Sequence, residues 1–203
     1  LLVLILFSSV AYAQFLTDRI HTTNHLTISG YFQPPCQVAS QEGVKNYSGG
    51  GFSPSSNNRF MFRRSRLKVE YLNINDDQKP SSQFVFQLDG TERGISIRDV
   101  WGRFFENKYE LFSFTAGMFA RPFSYEVNLS SSERETPERG RMSQILMKTE
   151  RDIGAMVSFE PRKKDHPLRY LKIDAGLFNG SGLTAPAVYD SHKDFISRIG
   201  LKP

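Results

Sequence analysis

The stretch RFMFRRSRLKVEYLNI, residues 59–74, alternates charge with hydrocarbon, and no other feature limits the possible folds as tightly. Side chains two apart share one face of a β-strand. From residue 66 onward the even positions are Arg66, Lys68 and Glu70, and the odd ones are Leu67, Val69 and Tyr71. Arg64 extends the charged row. Arg63 is out of phase, as a residue at an interface or beside a bulge would be. Such a strand has one face in water and one against something apolar. The apolar contact is either a second layer of protein, as in a soluble half-buried strand, or membrane hydrocarbon. In a membrane barrel the arginines must turn inward, because an Arg at the lipid midplane costs about 2–4 kcal/mol.

The same period of two recurs along the chain. HLTISGYFQ (25–33), SQFVFQLD (82–89), ISIRDVWGRFF (95–105), YELFSFTAGMF (109–119), DIGAMVSFE (152–160), YLKIDAGLF (170–178) and DFISRIGL (194–201) all read as strands. Asp89-Gly90 reads as the turn that ends its strand. Residues 14–24 read as a polar leader, and 34–58, rich in Pro, Gly, Ser and Asn, as a loop. Helical periodicity is present only within 133–149, and weakly. The fold class is therefore all-β, with antiparallel strands of about 8–12 residues. Globular strands peak at about 5–6, whereas strands tilted across a bilayer need about 9–11.

The connections add a second signal. Counting strands from residue 59, short connections (76–81, 106–108 and 161–167) follow strands one, three and five. The long ones, 120–150 and 179–193, follow strands four and six. In an up-and-down sheet successive turns emerge at opposite ends, so the long loops share one end. Outer-membrane barrels have this asymmetry. The aromatics Phe104, Phe105, Tyr109, Phe112, Phe114, Phe119 and Phe123 fall near strand ends, where aromatic girdles belong.

Residues 1–13, LLVLILFSSVAYA, have the apolar run and A-x-A ending of a signal peptide, with Gln14 as the expected mature N-terminus. The run is too short for the ~20 apolar residues of a spanning helix. A net charge of +5 suits nucleic acid, anionic lipid or an anionic solute. Export argues against nucleic acid. Cys36 is the single cysteine, so no disulfide framework exists within the chain. The four histidines, His21, His25, His166 and His192, lack metal-ligand spacing, and no catalytic or cofactor signature occurs. The expectation is a protein that is not an enzyme and carries neither metal nor cofactor.

Five runs carry a family resemblance: RFMFRRSRLKVEY (59–71), FTAGMFARPFSYE (114–126), SSSERETPERG (130–140), ERDIGAMVSF (150–159) and GLFNGSG (176–182). In this order they resemble the phosphate-selective porin O and P family of bacterial outer-membrane proteins. The resemblance spans about residues 55 to 203. It implies a transmembrane antiparallel β-barrel of about 16 strands, trimeric, with a lumen that passes small anions such as phosphate. Only seven or eight strands are visible, so residues 59–203 read as the N-terminal part of such a barrel. The long segment 120–150 would fold into the lumen and narrow it, or stand as a solvated outer loop.

Rows of Arg and Lys draw anions into a pore. The candidate lining residues are Arg64, Arg66 and Lys68, then Arg98 and Arg103, then Arg121 and Lys148 in the long segment. Simple alternation puts Arg98 and Arg103 on opposite faces of their strand. The competing reading is a soluble exported β-sandwich that binds an anionic or carbohydrate ligand. The two differ in what covers Leu67, Val69 and Tyr71: lipid, or a second sheet.

Overall fold

Alternating aromatic and β-branched residues pair into one antiparallel sheet. The computed structural model describes residues 19–21, 25–33, 36–45, 51–62, 64–92, 94–130, 133, 139–183 and 191–202. The expected signal peptide and Arg63 lie outside these residues. The strands are β1 (Arg19–His21), β2 (Leu26–Gln33), β3 (Cys36–Val38), β4 (Asn58–Phe60), β5 (Arg64–Ile74), β6 (Pro80–Thr91), β7 (Gly94–Phe105), β8 (Phe112–Ala120), β9 (Arg151–Phe159), β10 (Leu171–Phe178) and β11 (Asp194–Leu201). One short helix, α1 (Arg141–Leu146), falls inside the stretch where helical periodicity was weakly present. Nine strands form a sheet in the order β1-β2-β5-β6-β7-β8-β9-β10-β11, and β3 pairs with β4 in a separate ribbon. Among the described residues the large sheet is open, with β1 and β11 as its edges. Among the described residues no helix is long and apolar enough to cross a membrane.

From β5 to β11 every strand pairs with its sequence neighbour. The connections therefore alternate between the two ends, as their lengths implied. The turns 75–79, 106–111 and 160–170 lie at one end, and the long connections 121–150 and 179–193 at the other. Local chemistry closes the short turns. Asn75 Oδ1 accepts the Lys79 N–H at 2.8 Å, and Gln78 takes a left-handed φ of 60°. In the next turn Glu106 accepts the backbone N–H of Tyr109 at 2.6 Å and of Leu111 at 3.3 Å. Lys79 and Glu110 bridge the two turns at 2.7 Å.

Four expectations change. Gly90 is not a turn residue: it lies inside β6, opposite Ser65 and Ile95, and the ladder runs on to Thr91 and Gly94. The region 34–58 is not all loop, because Cys36–Val38 pairs with Asn58–Phe60. That ribbon also separates Arg59 and Phe60 from β5, so the opening stretch is two elements rather than one. Short β1 likewise falls within the expected leader.

The ladder registers assign every paired residue to a face. On one face Leu67, Val69 and Tyr71 lie opposite Leu88, Phe86 and Phe84. The row continues through Val100, Phe114, Val157, Ile173 and Ile199. This apolar face is exposed: Leu67 is 47% accessible and Phe86 40%. The opposite face is polar and covered: Arg66, one residue from Leu67, is 8% accessible. Among the described residues, ten buried polar or charged side chains stand against eight buried hydrophobic ones. Soluble proteins rarely bury charged residues fully unless they are paired, as Arg66, Asp99 and Asp174 are here, and seldom leave a broad apolar sheet face exposed beside them. Phe119 departs from the expected girdle. It turns to the polar face, 5.4 Å from the Phe178 ring, and packs with Met156, Trp101 and Ile196.

The Glu106 turn has a pH signature. The Tyr109 N–H, aided by that of Leu111, holds the Glu106 carboxyl below its ordinary value. Its stabilisation is therefore complete above the usual carboxylate range and is lost as pH falls through the depressed value. Amide exchange at Tyr109 and Leu111 should accelerate in acid, beyond the intrinsic pH trend, and Glu106→Gln should remove that acceleration.

Candidate functional site

The polar face encloses a cavity of about 290 Å³ that touches Lys68 on β5 and Arg198 on β11. Six strand spacings separate these residues, ~29 Å in a flat sheet. The sheet therefore curls around its polar face. The start of the 121–150 connection lies over this face: Val127, Asn128, Leu129 and Ser130 line the cavity, and Arg198 Nη1 donates to the Ser124 carbonyl at 3.1 Å.

Seven cations line the cavity: Arg66, Lys68, Arg98, Arg103, Arg151, Lys172 and Arg198. Two carboxylates, Asp99 and Asp174, line it with them. A bulge assembles part of this set. The β6–β7 register steps from Gln87↔Asp99 to Leu88↔Ile97, leaving Arg98 as the extra residue. Arg98 and Asp99 then turn to the same side, with Arg98 Nε 3.8 Å from Asp99 Oδ2. Arg98 and Arg103 consequently share the cavity face, which corrects the expectation from simple alternation.

Most of these cations are already paired. Arg66 meets Asp89 at 3.1 Å. Arg98 meets the same Asp89 at 3.4 Å and Glu150 at 2.9 Å. Glu150 also takes Arg139 at 2.9 Å and Arg151 at 2.5 Å, and Arg151 reaches Asp99 at 3.0 Å. Four arginines and three carboxylates thus form one chain from β5 across the sheet to the foot of the long connection. A second cluster lies toward β11. Asp174 is 1% accessible and accepts from Ser158 Oγ and Arg198 Nη2, each at 2.6 Å. Lys172 pairs with Glu160 at 2.7 Å, and Lys68 with Glu70.

Arg103 differs. Its Nε donates to Thr115 Oγ1 at 2.9 Å, and its guanidinium lies 5.0 Å over the Trp101 ring. Among the described residues no carboxylate comes within ion-pair distance of it.

The remaining candidates lie elsewhere. Arg64 is buried beside Gln33, with Nη1 3.2 Å from Oε1. Arg121 closes the base of the long connection: its side chain donates to the Thr149 carbonyl and hydroxyl, and its N–H to the Glu150 carbonyl at 3.0 Å. Lys148 is exposed and does not line the cavity. Sequence reasoning missed the acidic partners Asp89, Asp99, Glu150 and Asp174, and the cations Arg151, Lys172 and Arg198. For Asp89, Asp174 and Lys172 a signal existed, since each occupies a polar-face position of its own strand.

Comparison with protein-family models, with curated proteins and with solved structures finds no match to this chain. Among the described residues no group of three or more His, Cys, Asp or Glu side chains is arranged to hold a metal ion.

The Asp174–Arg198 pair tests the energetics of this face. Removing one partner of a buried pair leaves an uncompensated charge, at about 3–5 kcal/mol. Asp174→Ala should lower the unfolding free energy of the full-length protein in urea by that amount, and the double change Asp174→Leu, Arg198→Met should recover most of the loss.

Proposed function

We propose that this chain forms part of the wall of a bacterial outer-membrane porin, a water-filled channel for small anions. The observation that carries the reading is the inverted sheet. A largely apolar face is exposed, and the charged face is covered and encloses a cavity. In a bilayer the exposed face meets hydrocarbon, where it gains the burial it lacks in water. The charged face lines the aqueous lumen, where arginine avoids the lipid penalty. Short turns at one end and long connections at the other fit the periplasmic and outer sides of such a wall. Aromatic pairs near the short turns, Phe84–Phe104 at 6.1 Å and Phe112–Phe159 at 5.5 Å, fit an interfacial girdle.

Lipid cannot satisfy the free backbone groups of an edge strand, so a spanning sheet must close. Strands beyond β1 and β11 are therefore part of the proposal, and the family resemblance supplies a barrel of about 16 and a trimeric assembly. The soluble sandwich with an anionic or carbohydrate ligand needs a second layer over the apolar face, and none is present among the described residues.

Anion selectivity follows from the excess of cations on the lining. Pairing moderates it. Arginines already held by Asp89, Glu150 and Asp174 present a reduced field to a passing ion. Conduction requires sites that bind weakly enough to release, and a half-neutralised wall meets that requirement. Phosphate is the solute named by the resemblance, and any small anion senses the same field.

The zero-current potential of the full-length mature protein in a planar bilayer, under a KCl gradient, tests this reading. It should favour chloride, and Arg103→Glu should move it toward potassium. A potassium-favouring potential in the unaltered protein would remove the basic-lumen argument. Absence of channels from folded protein would remove the porin.

A further inference from the structure

We propose that the cavity beside Trp101 selects small organic anions, solutes bearing a carboxylate or phosphate on an apolar or aromatic body. The inference rests on the channel reading above and names the class of solute that the channel favours. Arg103 is the first element. The other arginines around the cavity are bound to carboxylates, whereas among the described residues Arg103 is held only by Thr115 Oγ1, at 2.9 Å, and by the face of Trp101, at 5.0 Å. The Nε donor is used, and the outer N–H groups remain for an incoming anion, which a guanidinium takes as a planar fork.

Trp101 is the second element. It is half-buried and lines the cavity, and among the described residues its indole N–H has no acceptor. The N–H is not among the buried unpaired polar groups, so it stays accessible to an acceptor. Opposite Trp101 on β8 is Gly117, with φ 126°. A Cβ there would stand 2.3 Å from the Val100 carbonyl and 3.1 Å from the Trp101 Cβ. The β8 backbone thus approaches closely with no side chain of its own over the indole.

The surroundings set the solute. Val85, Phe119 and Met156 contribute apolar surface to the same cavity. A fully hydrated inorganic ion gains nothing from indole, thioether and phenyl groups. A ring or short hydrocarbon gains from the half-buried indole and from the edges of these buried side chains, while its acid group meets Arg103. The volume of about 290 Å³ lies at the lower end for small-molecule sites, which fits a single-ring solute.

The test compares benzoate, acetate and inorganic phosphate as blockers of chloride current through the full-length protein in planar bilayers, with calorimetric titration of the same anions into the detergent-solubilised protein. Benzoate should half-block at about one-tenth the concentration of acetate, the discrimination expected of one desolvated aromatic contact. Trp101→Ala should bring that ratio to about one, Trp101→Phe should keep most of it, and Arg103→Gln should weaken block by all three anions. Equal block by benzoate and acetate in the unaltered protein, or an unchanged ratio in Trp101→Ala, would overturn the proposal. Calorimetry separates the two readings: a Trp101-dependent benzoate preference from protein that forms no channels would keep the site and overturn the porin.

Discussion

Antiparallel hydrogen bonding across nine strands gives each side chain one of two surroundings, and the rest of the structure depends on that division. Once Lys68 is paired with Gln87, Val69 must pair with Phe86, and their side chains must point the other way. A slip of one residue in a strand would exchange its faces and set its charged side chains where its apolar ones now stand. Register is thus held from both sides. The apolar face is fixed by aromatic and β-branched neighbours, and the charged face by ion pairs such as Arg66–Asp89 at 3.1 Å, which join residues directly opposite in the ladder.

The charged face shows how a protein concentrates arginine without destabilising itself. Like charges at van der Waals distances repel, and burial makes the repulsion stronger. Here carboxylates are interleaved with the cations. Glu150 is shared by Arg98, Arg139 and Arg151, which ties the foot of the long connection to the wall. One consequence is electrostatic: the lumen proposed above is positive but tempered. Another is geometric: the same pairs hold the segment that lies over the cavity, so selectivity and the shape of the cavity depend on common residues.

Much of this was legible in the sequence. The period of two located β2 and β5 to β11 to within about three residues at most ends, and the spacing of connections implied their alternation between ends. What escaped has a common physical character. β3 and β4 are three residues each, too short for a period, and Cys36 pairs with Phe60 across a Pro-, Gly- and Ser-rich stretch. The bulge at Arg98 belongs to the relation between β6 and β7, so neither strand alone displays it. Several acidic partners lie far along the chain, Asp89 23 residues from Arg66, Asp174 24 from Arg198 and Glu150 52 from Arg98, and the folded sheet brings them together. Gly90 looked like a turn because Asp-Gly is a strong local signal, yet the Ser65 and Ile95 ladders on its two sides override it.

In the wall proposed above, alternate residues of one strand face water and lipid. Site-directed labelling tests it most directly. In the full-length protein in membranes, with Cys36→Ser as background, single cysteines would be placed by Lys68→Cys, Gln87→Cys, Val69→Cys and Phe86→Cys. Each would be exposed to a charged, membrane-impermeant thiol reagent and to a lipid-soluble one. Positions 68 and 87 should react with the charged reagent, and 69 and 86 with the lipid-soluble reagent alone. Reaction of all four with the charged reagent, or the reverse pattern, would contradict the proposed wall.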